Sequence, residues 1–151
     1  MSAKSGDALI SSEATATLVR RLIPLATVLT PNLPEASILV GRRIRSVADM
    51  EAAGDDLLAL GAAHVLLKGG HLAGDHVRDF LFGPGKTRVF ESPRINSKHT
   101  HGTGCTLASA VAAGLAQGLE IEQSVTRARD FVMEAIRTAP GFGAGHGPMN
   151  H

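Results

Sequence analysis

The sequence predicts an α/β layered fold: a partial, mostly parallel sheet flanked by helices, with one β-hairpin. Three observations lead there. Short apolar runs at 26–30 and 63–68 alternate with segments of helical period. Glycine and proline punctuate every junction between them. Val77–Phe82 and Thr87–Glu91 flank Gly83-Pro84-Gly85, the pattern of an antiparallel hairpin.

In chain order, the spacing predicts a first helix from about Ser12, as cap, to Leu22, with Leu18, Leu22 and Ile23 on one face and Pro24 ending it. Ala26-Thr27-Val28-Leu29-Thr30 reads as a short buried strand closed by Pro31-Asn32-Leu33-Pro34. Helical patterns cover about Pro34–Val40 and Val47–Leu60, stopped by Gly41 and Gly61. Ala63–Lys68 is a second strand run, broken by Gly69-Gly70 before the hairpin. A polar loop, Arg94–His101, leads into a small-residue helix from about Thr103 to Gln117, and a last helix spans about Ile121–Thr138. Two parallel strands and a hairpin make a thin sheet, although buried parallel strands need cover on both faces.

Composition narrows the function. With 151 residues the chain can bury roughly 70% of its unfolded surface. A net charge of +1 points away from nucleic acid and anionic membranes as partners. Five Phe, no Trp and no Tyr leave little for stacking on bases or sugars. One cysteine, Cys105, cannot form an internal disulfide, which fits a reducing compartment. The start carries no apolar secretory run, and no stretch approaches the ~18 apolar residues of a membrane helix, so the expectation is a cytoplasmic protein.

The chemistry-bearing segments each admit two readings. In Thr100-His101-Gly102-Thr103-Gly104-Cys105-Thr106, glycines opening a helix leave amides bare at the positive end of the dipole, an anion site. The same glycines also suit a tight loop, and the small residues after them let the helix pack close to a sheet. Cys105 falls in the first helical turn, where the dipole favours a thiolate able to act as base or nucleophile. A lone cysteine is equally a small buried hydrophobe. Asn32 and Glu35, after a strand, could serve Mg²⁺ through its waters, and they also have the spacing of a capping box. Lys68 could face phosphates or reach into solvent. The seven histidines show no metal-ligand spacing; His99 with His101, and His146 with His151, are merely near in sequence. Placed at the carboxyl edge of one parallel sheet, the Asn32/Glu35 loop, Lys68 and the Gly102–Cys105 turn would make the parts of a phosphoryl-transfer site.

Five segments, in this order, resemble those of the hydroxymethylpyrimidine/phosphomethylpyrimidine kinases of thiamin biosynthesis, in the ribokinase-like superfamily. They are Ala3–Leu9 (Ala-Lys-Ser-Gly-Asp-Ala-Leu), Thr30-Pro31-Asn32-Leu33-Pro34-Glu35, Leu67-Lys68-Gly69-Gly70-His71, Thr100–Thr106 and Gly145–His151. The resemblance runs along essentially the whole chain. Its most specific part is Gly-Thr-Gly-Cys, because most ribokinase-like enzymes carry aspartate where this subfamily has cysteine.

The resemblance implies a truncated ribokinase-like fold and ATP-dependent phosphorylation of 4-amino-5-hydroxymethyl-2-methylpyrimidine, then of its monophosphate. It implies that Gly102, Thr103, Gly104 and Cys105 form the anion hole, with Cys105 as base toward the acceptor. Lys68 and Thr100 would hold ATP phosphates, and Asn32 and Glu35 would organise Mg²⁺ through water. Family members are homodimers, so a homodimer is a candidate assembly. The departure is at the start: where the family has a long segment ending in an Asp-Pro-Val-Met strand, only Met1-Ser2 stand here. The expectation is a single domain over 1–151, the carboxy-terminal ATP-binding part, with the substrate-binding part absent and needed in trans. Alone it should bind nucleotide weakly and phosphorylate poorly or not at all. Two other functions fit the residues: a non-catalytic nucleotide-binding or oligomerising remnant of the fold, and a cysteine hydrolase pairing Cys105 with a histidine, for which no orienting Asp or Asn can be picked out.

Overall fold

The computed structural model describes residues 11–143, 145 and 147–151. The Ala3–Leu9 segment and His146 therefore lie outside the described residues. The chain divides between Ser92 and Pro93 into two compact units.

The first unit opens with helix α1, Ser12–Arg21, capped by Ser11 rather than Ser12: the Ala14 N–H donates to Ser11 Oγ at 3.2 Å. A 3-10 turn, Ile23–Leu25, follows and accommodates Pro24 near its start, where a missing N–H costs nothing. Of the predicted apolar face only Ile23 is buried; no residue of α1 is. Helix α2 spans Leu33–Val40 and ends at Gly41 in the left-handed conformation. The single helix predicted over 47–60 is two, α3 (Val47–Ala52) and α4 (Gly54–Leu58). Gly54 explains the break's location. The Phe82 ring lies where a Cβ on Gly54 would sit, so the chain approaches the sheet there as no other residue could.

The sheet corrects the prediction. Strands β1 (Val65–Lys68), β2 (His76–Gly83) and β3 (Lys86–Pro93) lie in the order β1-β2-β3, and β1 pairs with β2 antiparallel, with Val65 opposite Phe82 and Lys68 opposite Asp79. The hairpin formed as predicted, turning at Pro84-Gly85. The run predicted as a parallel strand, 26–30, is extended chain beside β1, with isolated parallel bridges at Leu29–Val65 and Asn32–Lys68. The Leu29 N–H donates to the His64 carbonyl (2.9 Å), the Leu66 N–H to Leu29 (2.7 Å) and the Lys68 N–H to Pro31 (3.0 Å). A regular ladder would next have residue 31 donate to Leu66; Pro31 has no N–H, and the ladder lapses.

The core of this unit gathers Leu33 and Ala36 of α2, Met50 of α3, Leu57 of α4, Val65 and Leu67 of β1, and Phe80 and Phe82 of β2. Phe80 and Phe82 share a strand face, with ring centroids 5.9 Å apart. On the hairpin's exposed side Arg78 and Glu91 form an ion pair at 3.0 Å. That hydrogen bond holds the Glu91 carboxyl below its ordinary value. A lowered folded-state value stabilises above the unfolded value, near 4.5, and the contribution disappears as the pH falls through the folded one. The Glu91→Gln protein should therefore melt slightly below the parent at neutral pH and match it under acid conditions. Thermal melts at both pH values check this; an equal gap at both contradicts it.

The second unit is helical. Helix α5, Thr103–Ala116, packs against α6, Ile121–Arg137, across a turn at Gly118. The small residues of α5 serve this packing: a Cβ on Gly114 would stand 2.8 Å from Ser124 Oγ. Helix α6 carries the most strongly amphipathic pattern and opens with a Glu120/Gln123 capping box. Its Arg129 is buried, and burial pushes the guanidinium down from its ordinary value against the opposing pull of Asp130. Among the described residues no helix is long and apolar enough to cross a membrane.

Candidate functional site

In the first unit the predicted residues gather at the end of β1. The parallel bridge puts Asn32 beside Lys68. Asn32 and Glu35 build the capping box of α2 in full: the Glu35 N–H donates to Asn32 Oδ1 and the Asn32 N–H to Glu35 Oε2, each at 2.9 Å. The box fixes both side chains on the helix start, and the Asn32 oxygen keeps a second lone pair. One local device thus satisfies the helix end and fixes two oxygen-bearing side chains next to the strand that ends in Lys68.

Asp79 belongs with them, and sequence reasoning missed it. It stands opposite Lys68 in register, is only 5% exposed, and accepts the Gly69 N–H at 2.8 Å. A carboxylate buried in a sheet must be held by donors, so Asp79 fixes the Lys68–Gly69 junction. The signal in the sequence is faint, an acid directly before the apolar run Phe80-Leu81-Phe82; the register is what singles it out. Gly69 is required by space, since a Cβ there would collide with the Arg78 carbonyl of β2. The chain leaves β1 pressed against its neighbour.

In the second unit the turn before α5 has the predicted form. Gly102 caps the helix with φ +84° and provides no side-chain cap. Only glycine adopts that conformation at little cost, which explains why it stands there. Thr103 Oγ1 donates to the Thr100 carbonyl at 3.2 Å, the Thr103 N–H reaches the same oxygen weakly at 3.5 Å, and the Thr106 N–H returns to Gly102. The Gly104 and Cys105 N–H groups have no acceptor among the described residues. Two bare amides at the start of a 14-residue helix make a site for negative charge. Cys105 is exposed, which removes the buried-hydrophobe reading and leaves its sulfur available for chemistry.

Two open clefts, of about 430 and 400 Å³, lie along α6 and beside α2 and residues 71–73; no predicted site residue lines either. No group of three or more His, Cys, Asp or Glu able to hold a metal occurs among the described residues.

The family model described as phosphomethylpyrimidine kinase matches residues 1–150. The chain belongs to the phosphomethylpyrimidine kinase family. It is 46% identical over 152 residues to the hydroxymethylpyrimidine/phosphomethylpyrimidine kinase of Bacillus subtilis strain 168, covering 100% of this chain and 56% of that protein. Against the bifunctional thiamine biosynthesis protein of Geobacter sulfurreducens it is 51% identical over 152 residues, 100% of this chain and 31% of that one. Among solved structures, the ADP complex of B. subtilis pyridoxal kinase superposes with TM-score 0.89 at 38% identity, over 95% of this chain and 56% of that one. The phosphomethylpyrimidine kinase of Clostridium difficile 630 gives TM-score 0.76 at 41% identity, over 90% of this chain and 54% of that one. The fold is thus ribokinase-like α/β. The chain spans about half the length of the single-function curated kinases it matches.

Proposed function

We propose that this phosphomethylpyrimidine kinase chain supplies the ATP-handling part of phosphoryl transfer to hydroxymethylpyrimidine and its monophosphate in thiamin diphosphate synthesis. The observation that carries the reading is the pair of bare amides at Gly104 and Cys105, in the motif most specific to the family. Gly102, Thr103, Gly104 and Cys105 receive the transferring phosphoryl group, whose charge is spread over its equatorial oxygens while the bond to ADP lengthens. Cys105 takes the proton of the pyrimidine's hydroxymethyl group as that oxygen bonds to phosphorus and ADP leaves. Lys68 and Thr100 hold phosphates of ATP. Pyridoxal kinase of Staphylococcus aureus, solved with AMP-PCP, and the B. subtilis ADP complex support a nucleotide in this fold.

Mg²⁺ fits the residues present. The Asn32–Glu35 box offers oxygen acceptors committed to a fixed geometry, and the lack of a three-residue ligand cluster among the described residues suits an ion held through water and phosphate. When bound, it would neutralise phosphate charge. The protein works in the cytoplasm, and a homodimer is its candidate assembly.

The test is a kinase assay of the pure chain with ATP and hydroxymethylpyrimidine phosphate, alone and with the amino-terminal part of a relative added. Weak turnover that rises on complementation supports the proposal. Nucleotide binding without turnover in either arm identifies a non-catalytic remnant instead.

A further inference from the structure

The turn that holds the bare amides does not stand by itself within its unit. Residue His101 bridges Pro148 in parallel register, so the carboxy-terminal tail runs directly beside the chain entering the turn. The tail is itself tied down: the Asn150 N–H donates to the Ala135 carbonyl of α6 at 2.9 Å, Asn150 Nδ2 donates to Thr138 Oγ1 at 3.3 Å, and Met149 is buried. Between tail and turn sits His99. Its backbone N–H donates to Ser97 Oγ at 3.1 Å, and its Nδ1 is buried with no hydrogen-bond partner. A Cβ on Gly147 would fall inside contact distance of that Nδ1 and 2.8 Å from the Phe142 carbonyl oxygen. The imidazole therefore fills the space that the missing side chain of Gly147 leaves open.

A buried polar nitrogen without a partner is an exception that needs a structural reason. Here the fixing element is the backbone of Gly147, and the ring lies three residues before the glycine that sets the anion turn. We infer that His99 and Gly147 form a packing lock through which the tail positions the Gly102–Cys105 turn, making both positioning residues for the nucleotide's phosphates. The inference rests on the function proposed above for the turn, while the lock itself is a matter of geometry. A bulkier residue at 147 must push the ring, the ring must push the 99–101 segment, and that segment leads straight into the amides.

The test compares variants of the whole chain without nucleotide, and one further arm adds ATP to the parent. Backbone amide resonances of Gly102, Gly104 and Cys105, and the rate of Cys105 alkylation by iodoacetamide, are compared in the parent, Gly147→Ala, His99→Ala and the double variant. Gly147→Ala should move all three resonances and change the alkylation rate several-fold, with the resonances of residues 65–93 unchanged. His99→Ala should disturb the same turn by releasing the lock from the other side. The double variant, with room restored for the new methyl, should lie nearer the parent than Gly147→Ala does. If Gly147→Ala fails to fold, His99→Ala decides. Turn resonances and alkylation that stay at parental values in His99→Ala, or additive effects in the double variant, overturn the lock. ATP that fails to slow alkylation in the parent, while the variants behave as stated, contradicts the nucleotide reading and leaves the lock standing.

Discussion

Cys105→Ala should lower the turnover of the complemented kinase by about 10² to 10⁴-fold, the range a positioned general base contributes. The groups proposed to hold phosphate at this turn are backbone amides, at Gly104 and Cys105, and an alanine at 105 keeps both. Only the sulfur is removed, and the sulfur is exposed, so little packing is lost with it. ATP affinity should consequently stay near the parental value while kcat falls. Initial rates against ATP and against hydroxymethylpyrimidine, the acceptor that carries the hydroxyl proton, give the split directly. A parallel loss in ATP binding and turnover would assign Cys105 a structural part in the turn, and parental kcat would remove it from the chemistry.

Phe80→Ala carries the largest expected effect on stability, a loss of about 3–5 kcal/mol. Phe80 is 2% exposed, stacks with Phe82 and belongs to the cluster that joins helices α2 to α4 to the sheet. Its removal leaves a hole lined by side chains of several elements, which cannot collapse together. The consequence reaches the candidate site, because the residue before it is Asp79, whose carboxylate holds the Gly69 amide. Urea unfolding followed by circular dichroism measures the loss. A change under about 1 kcal/mol would show that this strand is not packed as described.

What the sequence revealed were features decided within a few residues. The Asn32/Glu35 box, the helix stop at Gly41, the Pro84-Gly85 hairpin turn and the glycine turn before α5 each follow from local backbone rules, and each is present; the helix expected to run to Gly61 ends earlier, capped at Ala59. The 26–30 run falls short of a parallel strand for an equally local reason: Pro31, which closes it, sits where the ladder needs a donor. The remaining gaps are non-local. Gly54 breaks a helix because a ring from β2, far along the chain, comes to rest on it. Asp79 looks like an ordinary surface acid until the register places it opposite Lys68. His99 and Gly147 are separated by the whole of α5 and α6, and nothing in either one's neighbours announces the other.

The candidate site divides in the same way. Asn32 and Lys68 were expected near one another at a parallel edge, and the structure brings them together by a single bridge instead of a ladder. Reading the Asn32–Glu35 spacing could not choose between cap and magnesium site, because the two uses share one geometry. The cap is built, and the Asn32 oxygen keeps one lone pair beyond it.

The claim beneath all of this is that the amides opening α5 receive phosphate beside a reactive thiol. Iodoacetamide labelling of Cys105, timed by mass spectrometry with and without MgATP, tests it most directly, since Cys105 is the chain's single cysteine and reports from inside the turn. Labelling should slow progressively with ATP and level off at saturation, with a further tightening when the acceptor pyrimidine is added to the complemented kinase. An identical labelling rate across the full range of ATP concentrations would mean that no triphosphate sits at these amides.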